Sequence, residues 1–297
     1  LPYRIRTNRL EAVHIIQCIS SGQMYNFFVL KSISNKNLLL PPILQKLCLM
    51  ALIHSFESSG NYLFRNRSWL PVFLFVPAAV VVWFTNIAWL DGFWYQMVTA
   101  LAVLASLVGF VIRAITIGTT PAGTSGRNTS EGQVAEQLNT SGIYSTIRHP
   151  LYLGNYLMWI GIVIFTFNIY FVIIVSLAFW LYYERIMFAE ERFLERKFGN
   201  AYLEWSRTAP AFIPSFKNYR KSPMEFSFKS ILRREYSGVL ATVIGFAFID
   251  NLRCFLLIHT FDPLRTTNIV LFITIVVVLI LRTLKHHTAL LREQGRS

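Results

Sequence analysis

The chain has 297 residues, of which 54% are hydrophobic, 15% aromatic and 14% charged, against about 25% charged in an ordinary soluble domain. That balance excludes a soluble globular protein, and it assigns the net charge of +13 to Lys and Arg flanking apolar spans rather than to a face for nucleic acid. Cys18, Cys48 and Cys254 have no metal-ligand spacing and form no disulfide framework, so no metal site and no redox chemistry are expected.

Residues 1–49 contain no long apolar run, no helical or strand period and no signal-peptide h-region, and are read as a leader outside the working protein. A genuine cytosolic extension is the alternative. Residues 50–67 suit an interfacial lead-in, with Trp69 next to it at headgroup level. The segment 68–115 holds two spans: Ser68 to Leu90 and Gly92 to Ile112 are free of charged side chains and joined by a tight connection, Asn86 to Asp91. Arg65, Arg67 and Arg113 lie at the other ends of these spans, which places the N-terminal end in the cytoplasm. Residues 116–141 are polar and rich in Gly, Thr and Ser, and read as a cytoplasmic loop.

From Leu151 to Tyr183 the chain runs for 33 residues without a charge, too long for one crossing of about 20 residues. It must fold back, and Phe165-Thr166-Phe167-Asn168 supplies the turn. The returning helix is expected to run from near Asn168 to Lys197, about 45 Å at the ordinary rise, so its last turns project beyond the hydrocarbon. Gly199 is its expected C-cap. The hairpin therefore brings Arg148 and His149 to the same membrane face as Glu190 and Glu191. Residues 116–216 form the expected functional core. Residues 217–297 supply a basic cytoplasmic stretch, Lys217 to Arg234, and two more spans, roughly Tyr236 to Ile258 and Thr266 to Leu281. The whole reads as an all-α, multi-pass membrane protein of about six transmembrane helices, with a central helical hairpin that returns both polar clusters to the cytoplasmic face.

Pro150 stands where proline is best tolerated, in the first turn of the helix after His149. Arg148, His149 and that helix N-terminus make an electropositive spot suited to a carboxylate or phosphate; a headgroup anchor is the plainer use of the same arginine. Helical spacing puts Glu190 on a stripe with Ile186, Met187, Phe193 and Leu194, whereas Glu191 shares a stripe with Phe188, Glu184 and Glu195. A carboxylate on an apolar stripe needs a cation or a polar ligand. One solution is a salt bridge from Arg148 to Glu190 across the hairpin.

Gly142-Ile143-Tyr144, Arg148-His149-Pro150-Leu151-Tyr152-Leu153-Gly154, Glu190-Glu191 and Phe198-Gly199-Asn200-Ala201-Tyr202, with Pro210 and Pro214, closely resemble the motifs of the isoprenylcysteine carboxyl methyltransferase and phospholipid methyltransferase family. The resemblance covers about 80 residues with motif spacing intact. It implies an integral-membrane methyltransferase that uses S-adenosylmethionine on the cytoplasmic side. It also implies a lipid or lipid-linked acceptor drawn from the bilayer, with no nucleic acid partner and no statement about oligomeric state. Leu138, Tyr144, Arg148, His149, Pro150, Leu151, Tyr152 and Glu190 match its cofactor contacts or the electropositive spot beside them. Arg185 and Glu191 are the candidate catalytic residues. The family's carboxyl methyltransferases carry an acceptor-orienting Arg at the position of Ile186, so Arg185 is one place out of register. Sterol reductases share the Arg-His and Phe-Gly elements but bind a nicotinamide cofactor, whose 2′-phosphate the acidic pair would repel. A channel or transporter would draw on Asp250, Asn251 and Arg253 within the fifth span, for which an Asp250 to Arg253 pair is the structural explanation.

Overall fold

A computed structural model describes residues 42–296 apart from 68, 88–90, 125–126 and 130–131. Residues 1–41, most of the expected leader, lie outside the described residues. The chain divides into two compact units, residues 1–59 and 60–297. Of the first, the described part is the beginning of helix α1 (Pro42–Asn66), which starts inside the stretch read as leader.

The second unit is helical, and its elements follow the apolar pattern. After a 3-10 turn at Leu70–Leu74 come α2 (Phe75–Phe84) and α3 (Gly92–Gly118), the latter capped by Asp91, which accepts from the Trp94 N–H. The expected loop contains a small hairpin, β1 (Arg127–Thr129) against antiparallel β2 (Gly132–Val134), with Asn128 opposite Gln133. Then follow α4 (Pro150–Ile164), α5 (Ile169–Phe198), α6 (Asn200–Thr208), α7 (Phe228–Ile258) and α8 (Thr266–His287). Four of these, α3, α5, α7 and α8, are long and apolar enough to cross a membrane, and a fifth is added if the broken pair 50–66 and 70–84 counts as one. The sixth crossing of the sequence expectation falls on α4, which has 15 residues, about 22 Å of helix. On α8 only Val278 is buried, and Phe272, Leu279 and Ile280 present an exposed apolar surface of the kind lipid covers.

The hairpin turn forms where the sequence places it. Phe167 adopts a left-handed φ of 62°, and the Asn168 side chain caps α5 by accepting from the Phe171 N–H at 3.0 Å. At the far end Gly199, at φ 53°, closes the 30-residue helix α5. The arm α4 packs on α3 through small residues. A Cβ on Gly161 would lie 2.1 Å from Ser106 Oγ and 2.4 Å from the Ala102 carbonyl oxygen, and one on Gly109 would lie 2.6 Å from the Gly154 carbonyl oxygen. The Ser106 hydroxyl uses that closeness to donate to the Met158 carbonyl at 2.9 Å. Gly161→Val is therefore expected to destabilise the fold by about 1–3 kcal/mol through overpacking, read as a lowered unfolding temperature in detergent.

The expected pair between Asp250 and Arg253 does not form. Asp250 instead accepts both arms of the Arg265 guanidinium, at 2.9 and 2.7 Å, and the Thr267 hydroxyl at 2.7 Å. Arg253 reaches the hairpin, donating to the Phe165 carbonyl at 2.6 Å while lying over the Phe165 and Phe167 rings. The reason lies in unsatisfied groups. The last carbonyls of α4 have no intrahelical donor, and the planar fork at the start of α8 matches a carboxylate better than a neighbour three residues along the same helix.

Candidate functional site

Tyr144 sits on a 3-10 turn, Ile143–Ser145, just before α4. Pro150 occupies the first turn of α4, after His149 as N-cap. Backbone bonds from Arg148 N to the Pro210 carbonyl at 2.8 Å and from His149 N to the Ala211 carbonyl at 3.2 Å pin this entry to the Pro-rich segment that follows α6. The turn is thus fixed on both sides, and its side chains are carried to the inner face of α5.

There the two acids separate as their helical positions dictate. Glu190 is 5% exposed and Glu191 is half-buried. The Tyr152 hydroxyl donates to Glu190 Oε2 at 2.8 Å and accepts from Arg67 Nη1 at 3.4 Å. His149 Nδ1 lies 3.7 Å from the same Oε2. Among the described residues Glu190 Oε1 accepts no hydrogen bond. Arg148 bonds to Glu191 rather than Glu190, through Nε at 2.9 Å, and His149 Nε2 donates to the same Glu191 oxygen at 2.9 Å. Arg148 Nη1 also donates to the Ser206 and Ala209 carbonyls at the end of α6. The salt bridge across the hairpin therefore forms with the outer acid, because Glu191 faces the α6 side and Glu190 faces inward.

A cavity of about 500 Å³ opens beside this constellation. Tyr144, Arg148, His149, Pro150, Leu151, Tyr152 and Glu190 all line it. Of the residues singled out in the sequence, three do not. Leu138 packs behind Tyr144 in a cluster with Ala135, Leu194 and Trp205. Glu191 acts on the cavity only through His149 and Arg148. Arg185 is half-buried, and its carbonyl lies where a Cβ on Gly60 would meet it at 2.1 Å; Ile186 beside it is wholly buried in the core. The remaining wall was not foreseen. Arg67, Arg113, Asn155, Tyr183, Arg234 and Glu235 also line the cavity, and the sequence offered only positive flanks where three of these arginines stand.

Arg113, half-buried, and Glu235, buried, form a bidentate pair. Nε donates to Oε2 at 2.7 Å and Nη2 to Oε1 at 2.6 Å, while Nη1 reaches Asn155 Oδ1 at 2.5 Å. Burial, with the Glu190 carboxylate adding to it, holds the Tyr144 hydroxyl well above the ordinary tyrosine range. Tyr144 is therefore a neutral phenol at physiological pH. Chemically the cavity offers a buried carboxylate with one oxygen uncommitted, aromatic walls, a helix N-terminus and several guanidinium groups. Among the described residues no group of three or more His, Cys, Asp and Glu side chains is arranged to hold a metal ion.

The phospholipid methyltransferase family model matches residues 95–201, from α3 through the start of α6. The cobalt-zinc-cadmium resistance protein CzcN of Cupriavidus metallidurans is 33% identical over 166 residues, covering 54% of this chain and 69% of that protein. The nickel-cobalt-cadmium resistance protein NccN of Alcaligenes xylosoxydans xylosoxydans is 35% identical over 89 residues, covering 30% of this chain and 41% of that protein. Protein-S-isoprenylcysteine O-methyltransferase of Xenopus laevis is 32% identical over 94 residues, covering 32% of this chain and 33% of that protein. The chain thus spans about two thirds of the first of these proteins and less than half of the other two. No solved structure matches. The shared region contains the hairpin, the paired acids and most of the cavity-lining motif, and the chain belongs to the isoprenylcysteine carboxyl methyltransferase and phospholipid methyltransferase family of integral-membrane proteins.

Proposed function

We propose that this protein is an S-adenosylmethionine-dependent methyltransferase whose acceptor is a lipid-like or lipid-linked molecule entering the cavity from the bilayer. The observation that carries this reading is Glu190, a buried carboxylate with Oε2 held by Tyr152 and Oε1 uncommitted among the described residues, on the wall of a cavity of about 500 Å³. A buried acid of this kind is costly unless a polar ligand completes it, and an ammonium or ribose hydroxyl does so.

Tyr144, His149, Pro150, Leu151, Tyr152 and Glu190 would hold S-adenosylmethionine, with the α4 N-terminus as the site for its carboxylate. Arg148 contributes less than its sequence position suggests, since Nε and Nη1 are already committed. When bound, S-adenosylmethionine supplies a sulfonium methyl group for in-line displacement: the acceptor lone pair forms the new bond to carbon, the carbon–sulfur bond breaks and its electron pair stays on sulfur. An already ionised acceptor needs alignment and partial desolvation rather than a general base. Glu191 is then a positioning residue, fixing the ring of His149 and the guanidinium of Arg148. The positive flanks support a cytoplasmic side for this end of the hairpin.

Methyl-labelled S-adenosylmethionine, incubated with the protein in nanodiscs and fractionated membrane lipids, is expected to label one lipid class, identified by mass analysis. A complete absence of labelled lipid and labelled protein argues for a binding role instead.

A further inference from the structure

We propose that Arg113, held in place by Glu235, orients the methyl acceptor and that the acceptor presents an anionic oxygen to it; this rests on the methyltransferase reading above. The cation expected from α5 is not on the cavity wall, since Ile186 is buried in the core and Arg185 does not line the cavity. Arg113 comes from the opposite side, on α3. Its stem crosses α4 over Gly154, where a Cβ would lie 2.5 Å from Arg113 Cγ, so the glycine of the Arg-His-Pro motif leaves the passage that the arginine uses.

A guanidinium has five N–H donors. Three are engaged, two by Glu235 and one by Asn155. The other two have no partner among the described residues, and the side chain lines the cavity. The two-point contact with Glu235 fixes the plane of the fork, which aims those donors before any ligand arrives. Glu235 is 2% exposed and lies on α7, outside the residues 95–201 that the family model matches. The helix thus brings a positioning carboxylate from beyond the shared core.

Charge selects the acceptor's end group. Four arginines line the cavity, Arg67, Arg113, Arg148 and Arg234, with two glutamates, Glu190 and Glu235, and a third, Glu191, lies behind them bonded to Arg148, so guanidinium groups still outnumber carboxylates. That excess favours an oxyanion over an ammonium. A carboxylate and a phosphate monoester share this chemistry, and the residues favour neither.

The test uses the full chain in phosphatidylcholine nanodiscs with three radiolabelled probes, dodecanoate, dodecyl phosphate and dodecylamine, measured against empty discs. Saturable binding of at least one anionic probe is expected, and which one binds separates carboxylate from phosphate. Glu235→Gln and Arg113→Met are each expected to weaken it at least tenfold, while S-adenosylmethionine affinity stays within twofold of wild type. Arg113→Lys, which keeps the charge and loses the fork, is expected to fall between wild type and these variants. The exchange Arg113→Glu with Glu235→Arg separates positioning from simple helix pairing: unfolding temperature recovers and anionic-probe binding does not. The proposal is overturned by preference for dodecylamine, by no saturable anionic binding, by anionic-probe binding unchanged in the single variants, or by an exchange variant that binds like wild type. Failure of wild type to bind S-adenosylmethionine overturns the methyltransferase reading instead, so the two failures are distinguishable.

Discussion

Glu190→Gln is expected to lower affinity for S-adenosylmethionine roughly ten- to a hundredfold in calorimetric titration. Hydrogen bonds to charged groups are worth about 1.5–3 kcal/mol, and each 1.4 kcal/mol is a factor of about ten. Glutamine keeps the volume and can still accept from the Tyr152 hydroxyl, which now bonds Glu190 Oε2 at 2.8 Å, so the fold is retained while the charge is lost. Tyr152→Phe removes only a neutral donor and leaves Arg67 without that acceptor; its effect is smaller, about 0.5–1.5 kcal/mol. Affinity unchanged in Glu190→Gln would remove the residue on which the reading of the cavity rests.

The second large effect concerns stability. Arg113→Ala is expected to cost about 3–5 kcal/mol, because it leaves the buried Glu235 carboxylate without its partner, and Glu235→Ala to cost less, because Arg113 is half-buried and keeps Asn155. Replacing both with leucine or methionine is expected to recover most of that loss, since the desolvation of the pair disappears with it. Unfolding in detergent, followed by helical circular dichroism, gives the comparison directly. A double variant as unstable as the single ones would mean that the interaction is needed for assembly itself, whereas a stable double variant isolates its role at the cavity.

The hairpin and its two polar ends were legible in the sequence because each rested on a local rule. A 33-residue uncharged run cannot be one crossing, Asn168 is a good cap, and a 100° step per residue separates Glu190 from Glu191. The burial of Glu190 and the half-exposure of Glu191 follow from that step alone. The opposite wall was not legible. An arginine at the end of an apolar span reads as a headgroup anchor, and nothing local distinguishes Arg113 from Arg65; its partner Glu235 lies 122 residues away. The same pairing explains why α3 runs on to Gly118 past the expected end at Ile112: with its charge answered, Arg113 does not have to leave the helix bundle. Likewise α7 begins at Phe228, under the Ser227 cap, ahead of the expected span start at Tyr236, and takes in Lys229, Arg233 and Arg234. Asp250 followed a third pattern, in which a short-range partner was available and a better-shaped one, Arg265, arrived from the next helix.

Whether this cavity holds a methyl donor or a nicotinamide cofactor is open to direct measurement. Calorimetric titration of the purified wild-type protein in nanodiscs with S-adenosylmethionine, and separately with reduced nicotinamide adenine dinucleotide phosphate, addresses it. Saturable binding of S-adenosylmethionine at one site per chain and no binding of the nicotinamide are expected. Binding of the nicotinamide without S-adenosylmethionine would contradict the methyltransferase reading.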